Sequence, residues 1–318
     1  MPLYLKFHSQ GEYVFDHLWA NAYHNHQQSY YPKWLTSIPF TPCQGNRIII
    51  KKGGDPSLIT HAIFNYLQEH AEHYHVSSWH CLFPHAEQAE QLKNLGLSIR
   101  LSFQFHWFNN NYRDFNDFLD TLRSKKRKQI KRERQRIAEQ GIKLITVKGG
   151  TITDQQWRYF YQFYQLTYLK KGHAPYLTFE FFKQISNTMP EQLLLVIAEL
   201  NETPVAMALF FIGSDTLYGR YWGCQNEFSG LHFETCYYQG INYCIKNKLI
   251  RFDAGAQGEH KIARGFTPIT TYSAHWIKNP QFSKAIHQFI QKEKTSQSSY
   301  EDYYQTLLPF KRKPPGTP

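Results

Sequence analysis

From residue 192 onward the apolar and polar positions fall into a regular order. Residues 193–199 and 205–212 are apolar runs joined by Leu200-Asn-Glu-Thr-Pro204, which predicts a strand hairpin. Residues 216–222 predict a third strand. After Ser229-Gly230, the positions Phe233, Cys236, Tyr237, Ile241, Cys244 and Ile245 recur at helical spacing, so a helix with one buried face follows. Residues 249–252 predict the next strand, 253–268 a polar, glycine-rich loop, and 272–277 a closing strand.

The first half is less regular. Strands are expected at 3–7, 13–16, 48–50, 76–83 and 101–108, and helices at 18–23 and 87–95, the latter stopped by Gly96. Asp55-Pro56 opens another helix, proline being suited to a first helical position. A long helix is expected over 116–140, capped by Asp114 or Asn116 and ended by Gly141. Its stripe Phe115, Phe118, Leu119 and Leu122 thins to Ile130 and Ile137, so the distal half is expected to project from the body. A strand at 142–147 follows, then an aromatic helix carrying Trp157, Phe160 and Tyr164 and another over 178–186. These runs make an α/β (α+β) fold with mixed central sheets flanked by helices. Two similar runs imply a duplicated fold: one domain over 1–150, a second over 151–310, and a disordered tail over 311–318.

Composition narrows the class. The 318 residues suit two domains, and 42% hydrophobic with 17% aromatic against 19% charged residues excludes global disorder. No apolar run approaches the roughly 20 residues of a membrane-spanning helix. No basic segment leads into an apolar one at the N-terminus, so no secretory leader is expected. Five scattered cysteines without a Cys-x-x-Cys pair argue for a reducing, cytoplasmic setting and against a disulfide framework or a zinc knuckle.

Charge changes the picture most. The net charge is +11, and residues 101–150 alone hold twelve Lys/Arg against five Asp/Glu. Residues 123–136 hold nine basic residues against Glu133, with Lys125, Lys126, Arg127, Lys128, Lys131 and Arg132 at the centre. Such density is an electrostatic footprint for phosphate: tRNA, a nucleotide-linked or otherwise anionic cell-envelope precursor, or the anionic face of a membrane touched peripherally.

The order hairpin, third strand, helix, strand, polar loop, strand resembles the GNAT acyltransferase fold. Gly11-Glu-Tyr-Val-Phe-Asp16, Tyr30-Tyr-Pro-Lys33, Pro39-Phe-Thr-Pro42, Tyr218-Gly-Arg-Tyr-Trp-Gly223, Leu231-His-Phe-Glu234, Cys236-Tyr-Tyr238 and Gly255-Ala-Gln-Gly-Glu-His-Lys261 resemble, over nearly the whole chain, the FemAB-like proteins. Within these, the likeness is to bacterial peptidoglycan biosynthesis/recognition proteins. The resemblance implies tandem GNAT-like domains and transfer of an aminoacyl or acyl group to an amine, such as one on a peptidoglycan precursor. Family members carry a further segment before the stretch that starts here at Met1, so the first domain is expected to lack its opening strand and helix.

Transfer to an amine needs a proton acceptor, donors for an oxyanion and cations for the donor's phosphates. The loop 253–266 holds all three types. Lys261 resembles the lysine with which FemAB-like transferases steady developing charge. Glu259 or His260 is the expected proton acceptor, Gln257 an orienting amide, and Arg264 a phosphate or carboxylate holder. Asp253 joins the substrate-binding set, although Asp253 or Glu259 paired with Arg264 would equally brace the loop. His232 and Glu234, at the start of the central helix, are expected to face the cleft, His232 as a neutral base. Arg220 and Trp222 are expected to line the acceptor channel. No metal site is expected, since the spacings fit no ligand motif.

The donor is left open between aminoacyl-tRNA and acyl-CoA, with no resident cofactor expected. CoA-using relatives place small residues and glycines before the central helix, whereas Gln225-Asn-Glu-Phe-Ser-Gly-Leu-His232 keeps one glycine. Three readings remain: a carrier-dependent aminoacyl or acyl transferase, an acetyl-CoA-dependent N-acetyltransferase, and a non-catalytic protein that binds RNA or an envelope precursor.

Overall fold

The computed structural model describes residues 1–256 and 258–311, without the side chains of 296–298. Gln257 and the tail beyond Lys311 lie outside the described residues. The chain forms two compact units, 1–104 with 268–306 and 105–267 with 307–318. This grouping differs from a linear division at residue 150, and strand pairing explains it. The strand Thr267–Ile277 pairs antiparallel with Ser78–Leu82, setting Ser273 opposite Leu82, almost two hundred residues away in sequence.

In the first unit, β1 (Tyr4–Lys6) runs antiparallel to β2 (Lys33–Thr36), and β2 parallel to β3 (Ser78–Leu82). Helices α1 (His17–Asn25), α2 (Pro56–His70) and α3 (Ala86–Asn94) accompany them. The Asp55 carboxylate accepts from the Ser57 and Leu58 N–H groups, so the Asp-Pro start works as the sequence implies. Trp34, Phe64, Leu67, Trp79 and Leu92 form one core. Trp19, Tyr23, Tyr30, Ile277, Ile286 and Ile290 form another, the last two from the helix Pro280–Leu307, for which the sequence carried no expectation. Residues 13–16 and 48–50 are not strands. At 47–48 a side chain replaces the neighbouring strand: Gln88 Oε1 accepts from the Arg47 and Ile48 N–H groups, and Gln88 Nε2 donates to the Ile48 carbonyl.

Strand β4 (Ser98–Phe108) leads into the second unit, where its last residues pair with Arg251–Asp253. The expected helix over 116–140 is two helices, α4 (Phe115–Asp120) and α5 (Ser124–Glu139), with Asp114 capping α4. The break has a cause: Leu122 bridges to Phe310, the Arg123 N–H donates to Pro309, and the Lys311 N–H donates to Thr121. Then follow β5 (Ile142–Lys148), α6 (Asp154–Leu169), α7 (Phe179–Thr188), β6 (Leu193–Leu200), β7 (Thr203–Ile212) and β8 (Thr216–Cys224). Strands β5 to β8 are consecutive antiparallel neighbours, and β9 (Arg251–Asp253) lies parallel to β8. This mixed sheet has the strand order that the hydrophobic pattern predicts for the second half.

Alternation along the strands divides the two faces. Leu195, Ile197, Met207 and Leu209 pack with Trp157, Phe160, Tyr164 and Phe182 of α6 and α7. Ala198 and Ala206 pack instead with Ile137 of α5 and Leu231. Gly223 lets α6 press onto β8, since a Cβ there would sit 2.1 Å from the Phe163 carbonyl oxygen. A continuous helical run covers α8 (Leu231–Phe233), a π-helical segment Glu234–Tyr238, and α9 (Gln239–Lys246). A single-turn π segment inside an α-helix is unusual and frequent at functional sites.

Candidate functional site

Strands β8 and β9 pair only over Thr216–Tyr218 and Arg251–Asp253, although β8 continues to Cys224. Beyond Tyr218 the two strands part. The register with β7 also shifts there: Leu209 lies opposite Tyr221 and Phe210 opposite Gly219, so Arg220 is the extra residue of a bulge. At this parting is a cavity of about 130 Å3. Arg220, Tyr221 and Trp222 line it from β8, His232, Cys236 and Tyr237 from the helical run, and Ala254 from just past β9.

The titratable groups around the cavity have distinct environments. The His232 ring sits 5.3 Å from the Trp222 ring and 5.3 Å from that of Tyr237. Burial, with His260, Arg264 and Lys261 adding to it, lowers its pKa to about 4, so it is neutral at pH 7. A proton acceptor that weak suits packing and hydrogen bonding better than taking a proton from an amine. The Tyr237 hydroxyl meets His260 Nε2 at 2.9 Å. Burial pushes the Tyr237 phenol well up, and partial desolvation with Arg264 and Lys261 lowers His260, whose ring is otherwise exposed, so the pair rests as phenol and neutral imidazole. Burial drives the Cys236 thiol far above its ordinary value, which argues against a thiolate nucleophile.

The loop after β9 is built around Lys261. Residues Glu259–Arg264 form a 3-10 helix rather than open loop, between Gly258 and Gly265, both at positive φ. The His260 ring occupies the space a Gly258 Cβ would need, at 2.7 Å. Buried Lys261 donates to the carbonyls of Ala254, Gly255 and Ala256 at 3.1, 2.7 and 3.5 Å. It therefore clasps the segment that borders the cavity. Burial lowers it to about 8, against the pull of Asp253. The Asp253 carboxylate accepts from the Gly255 N–H and lies 3.5 Å from His106 Nε2.

Helix α5 does not project. Ile130 and Ile137 are buried, and Glu133 reaches inward to accept from Arg264 Nη2 at 3.0 Å and from the Tyr238 hydroxyl. Arg264 thus pairs with Glu133 rather than with Asp253 or Glu259, and stacks 3.4 Å over the Phe233 ring. Glu234 does not face the cavity. It takes a bidentate pair from Arg134 and a 2.7 Å hydrogen bond from Gln239, on the side of the helix toward α5. The outward side of α5 keeps the expected charge. Lys125, Lys128, Lys131 and Arg132 are exposed and make no ion pair among the described residues; Lys126 and Arg127 are half-buried, and Arg127 pairs with Asp120. The one acid among the basic residues is spent inside.

The helix start that would receive a CoA pyrophosphate is in contact with α5, with Ser229 itself exposed. Arg136 Nη1 donates to Ser229 Oγ at 3.1 Å, Gln140 donates to the Ser229 carbonyl, and a Cβ on Gly230 would sit 3.8 Å from the Glu133 carbonyl oxygen. The residues there do not fit a pyrophosphate cradle of the usual kind.

Of the expected site residues, Arg220, Trp222 and His232 line the cavity and His260 stands behind Tyr237. Lys261, Asp253 and Arg264 build the loop, Glu259 is exposed, and Gln257 lies outside the described residues. Tyr237 was read as a stripe position and as part of a motif shared with the family, not as a site residue, because an aromatic ring in an apolar helical stripe carries no polar signal. Glu133 stood out only as the lone acid among basic neighbours. Among the described residues, no group of three or more His, Cys, Asp or Glu could hold a metal ion, and no helix is long and apolar enough to cross a membrane.

A family profile described as peptidoglycan biosynthesis/recognition, FemAB-like, matches residues 1–312. No curated protein matches the chain. Among solved structures, the C-terminal domain of a protein assigned as a lysylphosphatidylglycerol synthetase from Agrobacterium fabrum superimposes with a TM-score of 0.50 at 10% identity, over 75% of this chain and 79% of that one. FemX gives 0.49 at 11% identity, over 79% and 85%. L-PGS from Bacillus licheniformis gives 0.49 at 11%, over 72% and 78%. The first of these likenesses shows a shared fold.

Proposed function

Because the chain belongs to the FemAB-like family of peptidoglycan biosynthesis and recognition, we propose that it transfers an aminoacyl or acyl group from a carrier to an amine, the amine lying on a cell-envelope precursor. The observation that carries this reading is the cavity where β8 and β9 part, with Tyr237 on its wall and His260 bonded behind it. The amine nitrogen attacks the donor carbonyl, and the C–N bond forms. The ammonium proton passes to the Tyr237 oxygen while the phenol proton moves to His260 Nε2. Collapse of the tetrahedral intermediate breaks the bond to the carrier oxygen or sulfur, and that atom takes the proton back by the same route. A positioned proton relay of this kind is worth about 10²- to 10⁴-fold in rate. In this reading, Lys261 keeps the cavity border in shape and holds a positive charge beside it.

Aminoacyl-tRNA is the favoured donor, because α5 side chains hydrogen-bond to Ser229 at the helix start while the outward basic side of α5 stays exposed. The test is release of label from a pool of radio-aminoacylated tRNA in the presence of precursor, with labelled acetyl-CoA run in parallel. Turnover of the tRNA pool alone is expected. Turnover of acetyl-CoA alone would make the protein a CoA-dependent N-acetyltransferase. Tight RNA or precursor binding with no turnover of either donor would make it a binding protein.

A further inference from the structure

We propose that an open groove bordered by α4, α5 and β5 seats an unpaired nucleotide of the RNA that follows α5. The inference rests on the tRNA-dependent reading for its partner, but on the groove alone for the kind of group that enters. The groove measures about 520 Å3 and is separate from the cavity. Phe115 and Leu119 of α4, Ile137 of α5, and Ile142 and Leu144 of β5 give it an apolar floor. The helical run 231–246 turns Glu234 and Gln239 to the groove and His232, Cys236 and Tyr237 to the cavity. A helix with its side chains is about 10–12 Å across. An RNA whose 3′ end delivers the transferred group to the cavity therefore has its last few nucleotides within reach of the groove.

The rim supplies what a base needs. Gln135 and Gln239 donate their Nε2 groups to Glu139 at 2.8 Å and Glu234 at 2.7 Å, which leaves both amide oxygens as acceptors. The side chain of Asn116 makes no hydrogen bond among the described residues, so its donors and acceptor are all available. Amides carrying both kinds of group match base edges. The Arg134 guanidinium is held 4.4 Å over the Phe115 ring and pinned by Glu234, yet the side chain stays 31% exposed. A fixed guanidinium plane is a surface on which an unpaired base stacks. Glu234, the one carboxylate lining the groove among the described residues, is answered by that pair. Lys131 also lines the groove, and Lys128 lies one turn earlier on the same side of α5; both are exposed and make no ion pair among the described residues. A phosphate chain that follows these two lysines arrives at the groove. The floor alone would suit any apolar group; amides, guanidinium plane and lysines together fit a base linked to phosphates.

The experiment measures binding of two uncharged RNA hairpins of equal phosphate count, one with a short single-stranded 3′ end and one blunt. It uses the full chain and the variants Ala138→Trp, Ala138→Ser and Asn116→Ala. Ala138 lines the groove at an exposed position of α5, so an indole there obstructs the groove and leaves the lysines in place. Wild type is expected to bind the overhanging hairpin about tenfold more tightly than the blunt one. Ala138→Trp should abolish that preference, Asn116→Ala should reduce it, and Ala138→Ser should keep it, all with the salt dependence unchanged. Equal binding of the two hairpins by wild type, or a preference that survives Ala138→Trp, overturns the proposal. So does tight binding of a free nucleoside diphosphate that Ala138→Trp abolishes while the hairpins bind alike, since the groove would then serve a nucleotide-linked precursor. The two readings fail separately. A preference lost in Ala138→Trp without discharge of any charged tRNA would sustain the groove and sink the transferase reading. Equal hairpin binding with discharge intact would sink the groove alone.

Discussion

Both units bury charge, and they do so to opposite ends. In the first unit Lys33, fully buried, reaches Glu12 at 2.8 Å, Asp16 at 2.5 Å and Ser9 at 2.8 Å. Asp16 accepts from the Tyr30 hydroxyl, which lies 3.3 Å from His80, and His80 meets His275 Nδ1 to Nδ1 at 2.6 Å. Each of these groups faces other protein groups. In the second unit half-buried His232 and Arg220 and buried Tyr237 line a cavity, and buried Lys261 holds the Ala254 carbonyl at its border. A buried ionisable group enclosed by protein holds a fold in one arrangement; one beside an opening is also within reach of a ligand.

The largest expected contrast comes from removing the buried cation of the first unit. Lys33→Met leaves Glu12 and Asp16 facing each other without compensation, which typically costs about 3–5 kcal/mol. Chemical denaturation should show that loss, while turnover per folded molecule stays near wild type. Turnover lost with stability intact would move the chemistry into the first unit.

Acid is the next probe. Burial lowers His106 and His232 to about 4, and His80 and His275 well below their ordinary value. Between pH 6.5 and 4 the unfolded chain binds protons that the folded one refuses. Stability is therefore full above pH 6.5 and falls as pH drops toward 4, at about 1.4 kcal/mol per unit for each histidine. Urea midpoints at pH 7 and pH 5 should differ by several times what exposed histidines would produce. A flat profile would mean that these rings are solvated.

The smallest effect is on the outer side of α5. Replacing Lys125, Lys128, Lys131 and Arg132 by glutamate should weaken tRNA binding by about tenfold near physiological salt. The slope of log affinity against log salt should fall by about 3, at roughly 0.7–0.9 per phosphate contact. Melting temperature should hardly move, because these side chains are exposed. An unchanged slope would remove α5 from the RNA-binding surface.

What the sequence revealed follows from range. The hairpin of β6 and β7, the strand β8 and the helical run 231–246 were legible because each rests on local periodicity, whereas a cleft beside the helix start was expected only from the resemblance. The pairing of Thr267–Ile277 with β3 was not legible, since nothing local in either segment names its partner. The Lys33 cluster stayed hidden for the same reason: Glu12, Asp16, Lys33, His80 and His275 meet only in three dimensions. Glu234 was expected at the cleft from its place at the start of the central helix. It faces Arg134 of α5 instead, a partner a hundred residues away that nothing local to the helix start names. The break between α4 and α5 depends on residues 309–311, far from the basic run that dominates the sequence there.

The central claim is that Tyr237 and His260 move the proton at the cavity wall. Its most direct test is donor discharge by Tyr237→Phe, which keeps the ring contacts with His232 and Phe266 and removes only the hydroxyl. Release of label from aminoacyl-tRNA should slow by about 10²-fold or more, with tRNA affinity and thermal stability unchanged. Discharge by Tyr237→Phe at the wild-type rate would contradict the account.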